Sequence, residues 1–156
     1  MKYISKLNNK TFYFICLLLF SFSINQYYGY LGVYPIDTFL FFDSGYRVLN
    51  GHFPFKDFWA VTGPLLDLIQ AFFFKIFGVS WFSYVLHASF FNFLISIFTF
   101  FTLIKFKLNI NSSFFYSLLV AIIAYPLAGT PFVDHHAIIL SILALYCFVL
   151  ALETKL

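Results

Sequence analysis

From residue 81 to residue 104 the chain runs without a single Asp, Glu, Lys or Arg. A helix of that length crosses a bilayer, whose hydrocarbon core needs about 20 apolar residues. The rest of the chain is of the same kind. Of 156 residues, 62% are hydrophobic and 10% charged, against about 45–50% and 25% in soluble domains. There is too little polar surface to cover a globule in water, which excludes a cytosolic enzyme, a secreted disulfide scaffold, a disordered chain and a nucleic-acid binder. The net charge of +3 comes from nine Lys and Arg spread along the chain, a poor basis for a groove that binds nucleic acid. Cys16 and Cys147 lie inside apolar runs, the ordinary place for a small buried thiol, and nothing supports a disulfide.

Apolar periodicity predicts an all-α polytopic membrane protein with four spans in one membrane domain, 1–156. The spans are placed at 12–31, 81–104, 114–130 (its apolar run reaching Leu127 and closing at Gly129-Thr130-Pro131) and 132–152. Residues 12–31 follow Lys2, Lys6 and Lys10 and fit either a cleaved signal peptide or an uncleaved first span. The lack of a small-residue cleavage site after Ser23 favours the span. Residues 32–80 then form one long outer loop. Within it, Asp43, Arg47 and Asn50 share one face of a helix over 38–50 and Phe41, Phe42, Val48 and Leu49 the other, which predicts a helix on the membrane surface stopped by Gly51.

Gly63-Pro64 opens another helix over 63–78. Asp67, Gln70 and Lys75 share one half of it, with Phe74 the apolar exception there, a pattern that suits an interfacial helix. Charge settles whether it crosses. If it does not, Lys2, Lys6, Lys10, Lys105, Lys107 and Lys155 lie inside and Arg47, Lys56 and Lys75 outside, as the positive-inside rule requires. If it does, the majority falls outside. The first arrangement puts Asp37, Asp43, Asp57, Asp67 and Asp134 on the outer face of an inner (cytoplasmic) membrane, with the amino terminus in the cytoplasm.

Two acidic sites on that face could carry chemistry: Asp37 in the loop, with Asp43 and Asp57 nearby, and Asp134-His135-His136 at the start of the last span. Carboxylates and imidazoles there could ligate a divalent metal or act as general bases. Simpler roles stand beside these. Asp37 and Asp134 could cap helices, Asp43 could pair with Arg47 four residues on, and Asp57 could hold a turn. His87 could be hydrogen-bonded packing, and Trp59 and Trp81 could sit in the aromatic belt. Adjacent histidines point in different directions on a helix, so His135 and His136 do not by default share one metal.

Asp37, then Gly51-His52-Phe53-Pro54-Phe55-Lys56-Asp57, Gly63-Pro64 and Phe77-Gly78-Val79-Ser80, resembles the first outer loop of the GT-C membrane glycosyltransferases. These include the protein mannosyltransferase-like enzymes and the oligosaccharyltransferase catalytic subunits. Gly129-Thr130-Pro131-Phe132-Val133-Asp134-His135-His136 resembles the second acidic motif of the oligosaccharyltransferase branch. The resemblance covers the amino-terminal part of such an enzyme. It implies an inverting transfer of sugar from a polyprenyl-phosphate-linked donor to a lipid, glycan or protein acceptor, with Asp37 as the catalytic base. It also implies a donor-phosphate or metal site at Asp134, His135 and His136, with Asp134 and His135 the ligands of a divalent Mg or Mn ion. Arg47 and Lys56 are candidates for phosphate contacts, and a separately encoded remainder of the enzyme is a candidate partner. The alternative is a catalytically inactive truncated or split membrane protein with an assembly role. A small metal-binding or transport protein built on Asp134-His135-His136 would need more polar residues inside its spans than Asn92 and His87 supply.

Overall fold

The computed structural model describes residues 2–32 and 37–153, and their side chains over 10–32 and 37–152. Lys155, counted above among the inner cations, lies outside the described residues, as do 33–36 ahead of Asp37. The chain is all-helical, with α1 at Lys2–Gly29, α2 at Leu40–Leu49, α3 at Pro64–Phe77, α4 at Trp81–Lys105, α5 at Ile110–Ile123 and α6 at Val133–Glu153. Among the described residues two stretches, Trp81–Lys105 and Val133–Leu152, are long and apolar enough to cross a membrane.

Helix ends follow local chemistry. Gly51, Gly63 and Gly78 take positive φ at the end of α2, the start of α3 and the end of α3, and Pro64 occupies the first turn of α3. Ser80 caps α4 in a reciprocal pair with Ser83, each side chain accepting the other's backbone N–H. Two helices differ in their bounds from expectation. α1 begins at Lys2, ten residues ahead of the apolar run, because nothing between Lys2 and Phe12 breaks a helix. α5 begins at Ile110, where Asn109 caps it by accepting from Ser112 N–H at 2.8 Å, and it stops at Ile123, short of 127–130. Pro126 has no N–H to donate and disfavours helix at the residue before it.

α4 is the axis, with α1, α3, α5 and α6 packed on it, while α2 packs on α3. Tyr84, Val85, His87, Ala88, Asn92, Ser96 and Phe100 of α4 are all buried. Polar groups tie its neighbours to it. Asn92 Nδ2 donates to the carbonyls of Ser21 at 3.2 Å and Ala121 at 3.0 Å, linking α1 and α5 across α4. Outward lie Leu19, Phe72, Phe101, Phe115, Ile123, Ile138 and Phe148. Inside, hydrogen-bonded polar groups lie among apolar side chains, while large apolar side chains face out, a combination compatible with a lipid surround.

α3 turns its polar residues inward. Gln70 and Asp67 are buried (0% and 3% exposed) with Phe74 beside them at 2%, while Leu65, Leu68, Phe72 and Ile76 face out. Asp67, Gln70, Ala71 and Phe74 recur at i, i+3, i+4 and i+7, so they form one stripe against α2 and α4. Phe74, an exception by polarity alone, belongs to that stripe, and only Lys75 of the expected polar half stays exposed. Gly45 makes the close approach possible, since a Cβ there would meet Gln70 Cγ at 2.6 Å.

Ser44 Oγ donates to Asp67 Oδ1 at 2.5 Å. Burial pushes the Asp67 carboxyl above its ordinary 3.8, and the Ser44 bond opposes the rise. The fold therefore prefers the protonated acid. That stabilisation is complete below pH 3.8 and is lost as pH rises through the raised value. Asp67→Asn keeps an acceptor for Ser44 and cannot ionise. In detergent its melting temperature is expected to match the wild type in acid and exceed it at neutral pH. A gap that does not widen with pH would contradict this.

Candidate functional site

A cleft of about 270 Å³ opens between the start of α2 and the turn into α6, walled by Thr38, Leu127, Ala128, Thr130, Phe132 and His135. Its walls are fixed from behind. Tyr84 O–H donates to the Thr38 carbonyl at 2.5 Å, holding the chain one residue after Asp37. Asn25 Nδ2 donates to the Gly129 carbonyl at 3.2 Å and to Ser89 Oγ at 3.0 Å, and Trp81 Nε1–H donates to the Gly29 carbonyl at 2.9 Å. Phe132 N–H donates to Tyr125 Oη at 2.9 Å, so the last turn before α6 is held by a side chain where no helical bond is available.

The two acidic motifs meet at this cleft through Thr38 and His135. Asp37 and Asp134 themselves are exposed. Asp37 does not cap α2 with its carboxylate: the N-cap is Phe39, without a side-chain cap bond, and Asp37 closes the turn through its carbonyl, which accepts from Leu40 N–H at 3.2 Å. Asp134 lies in the first turn of α6, where a negative charge is favoured by the helix dipole. His135 is half-buried between Tyr125 and Phe132, at ring distances of 5.2 and 5.7 Å. Its Nδ1 is buried and makes no hydrogen bond.

His136 departs from its expected role. It is fully buried, with Nε2 3.0 Å from His87 Nε2 and Nδ1 bonded to the Tyr125 hydroxyl. It is therefore committed to the bundle and not to a phosphate or metal beside Asp134. His87 is hydrogen-bonded packing, as expected, its Nδ1 lying 2.9 Å from Gln70 Oε1. Among the described residues, no three of His, Cys, Asp and Glu come together as a metal cluster. Asp134 and His135 remain as the candidate donors; as neighbours on a helix they point about 100° apart, as His135 and His136 do.

The remaining candidates serve structure. Arg47 Nε donates to Asp43 Oδ2 at 2.8 Å in the expected ion pair, and the guanidinium lies 5.7 Å from the Phe58 ring. Lys56 Nζ lies 5.8 Å from the Phe53 ring. Neither lines the cleft. Asp57 is a turn residue, its Oδ2 accepting from Phe53 N–H at 2.8 Å, with Phe55 at φ +66° in the same turn. Trp81 is tied to α1, whereas Trp59 is 80% exposed. Sequence reasoning missed Gln70, Tyr125 and Thr38. Pro126 beside Tyr125 was a signal that the segment is irregular; the other two carry no local mark.

Compared with family models, with curated proteins and with solved structures, the chain matches none.

Proposed function

We propose that this chain is the amino-terminal part of an inverting membrane glycosyltransferase that takes sugar from a polyprenyl-phosphate-linked donor at the outer face of the cytoplasmic membrane. α1, α4, α5 and α6 are its four spans, and α2 and α3 lie in the outer interface. The observation that carries the reading is the shared cleft: Thr38, next to Asp37, and His135, next to Asp134, form walls of one cavity although nearly a hundred residues separate them. Such a donor keeps its hydrocarbon in the bilayer and presents its sugar and phosphate at the surface, where an exposed carboxylate and a half-buried imidazole flank the cleft. Asp37 takes the acceptor's proton as general base. Asp134 and His135 face the leaving phosphate, directly or through a divalent ion that would neutralise its developing charge.

The test is transfer from a radiolabelled polyprenyl-phosphate sugar in membranes that contain the chain at its natural level. Asp37→Asn is expected to lower transfer at least about 100-fold. Because Asp37 is exposed, helix content and melting should not change. Equal transfer by wild type and variant would end the assignment.

A further inference from the structure

Beneath the cleft a chain of hydrogen bonds joins α3, α4 and α6: Gln70, His87, His136, Tyr125 and the backbone of Phe132. A backbone N–H can only donate, so Tyr125 Oη accepts from Phe132. The phenol proton then faces two acceptors, the Phe132 carbonyl at 3.4 Å and the nearer His136 Nδ1, and the shorter contact directs it to His136. His136 then carries its own proton on Nε2 and donates to His87 Nε2 at 3.0 Å, and His87 donates from Nδ1 to Gln70 Oε1 at 2.9 Å. Every link is satisfied with both imidazoles neutral. The Phe132 carbonyl accepts the backbone N–H of His136 and, lying 3.1 Å from His136 Nδ1, has a second lone pair for the opposite tautomer, so nitrogen protonation is the property to measure. Phe73 stacks on His87 at 5.1 Å and Phe91 lies 4.3 Å from His136, so no water competes for these atoms.

We infer that His87, His136 and Tyr125 are positioning residues for the cleft. Successive residues on a helix point about 100° apart, so clamping His136 toward α4 fixes the rotation of the first turn of α6. That rotation turns His135 to the cleft wall, and Tyr125 backs the His135 ring directly. The meaning of this as positioning for a reaction rests on the glycosyltransferase reading; the hydrogen-bond chain does not.

The experiment uses the full chain in bicelles, labelled with ¹⁵N-histidine. The expected spectrum has His136 protonated on Nε2, His87 on Nδ1, and a scalar coupling between the two Nε2 atoms. Acylation by diethyl pyrocarbonate, read by mass spectrometry, then compares His135 with exposed His52 as internal reference. Tyr125→Phe keeps the ring and removes the director of the chain. It is expected to abolish the single tautomer pattern and raise acylation of His135 relative to His52 about fivefold, the scale of one lost buried hydrogen bond. His87→Leu should do the same, and Tyr125→Phe stands alone if that variant does not fold. Both histidines in one tautomer without coupling would remove the chain, and unchanged His135 reactivity in Tyr125→Phe would reduce it to packing. Neither readout needs a sugar donor, so a failed Asp37 assignment and a failed positioning role are separately visible.

Discussion

Gly129→Ala is expected to destabilise the fold by about 3 kcal/mol, the sum of a left-handed backbone and an overpacked contact. Gly129 sits at φ +67°, and a Cβ there would lie 2.6 Å from both Cα and N of Gly29 and 3.0 Å from the Tyr28 carbonyl carbon. All three are backbone atoms of α1, so no side chain can swing aside. The displaced turn would also carry the Gly129 carbonyl away from Asn25 and open the wall of the cleft. Gly51 is the comparison. Its φ is +88° but nothing lies within 4 Å of its added Cβ, so Gly51→Ala should cost only the backbone share, about 1 kcal/mol. Melting temperatures in one detergent measure both. Equal losses would mean that the contact between Gly29 and Gly129 does not bear on stability.

Features legible in the sequence were those whose cause is local. Gly51, Gly63-Pro64 and Gly78 punctuate the chain through their own φ preferences, and the Asp43–Arg47 pair follows from helical spacing alone. α4 and α6 are visible because length and apolarity suffice to mark them. The end of α5 was legible too, in Pro126, but the apolar run continues past it to Leu127 and masks the break. The orientation of α3 could not be read locally. A half-polar helix has the same pattern whether its polar half meets water or, as here, the buried faces of α2 and α4. The partners of Asp67 and Gln70, Ser44 and His87, lie on other helices. The same limit hid the histidine pair: His87 and His136 are joined by Nε2 contacts across 49 residues of chain, with no spacing to announce them. The cleft was legible only as two motifs that the charge count expects on one face. That they touch through Thr38 and His135, and that His136 turns inward, depends on how α6 rotates against α4.

A cysteine placed at position 134 is expected to react with a membrane-impermeant thiol reagent from outside intact cells, while one at position 106 reacts only after permeabilisation. Cys16 and Cys147 are replaced by alanine first, both being free thiols. Position 106 follows α4 between Lys105 and Lys107, and position 134 lies in the first turn of α6, so α5 and the segment 124–132 must carry the chain from one face to the other. α5 alone, 14 residues long, spans about 21 Å, against a hydrocarbon core of about 30 Å. The remaining distance falls to an irregular backbone, which is tolerated at membrane depth only where protein satisfies it. Here it is partly satisfied: Ala128 and Gly129 N–H donate to the Tyr125 carbonyl at 3.1 and 3.0 Å, Phe132 N–H to Tyr125 Oη, and the Gly129 carbonyl accepts from Asn25. Tyr125, Pro126, Thr130 and Pro131 are buried. Labelling of 134 from outside and of 106 only after permeabilisation would mean that a short helix completed by this turn crosses where a straight helix would need about six more residues. Labelling of position 106 from outside with protection of 134 would invert the arrangement and remove the cleft from the outer face. Labelling of both would leave α5 and its turn on one side of the membrane and reduce the crossing helices to α1, α4 and α6.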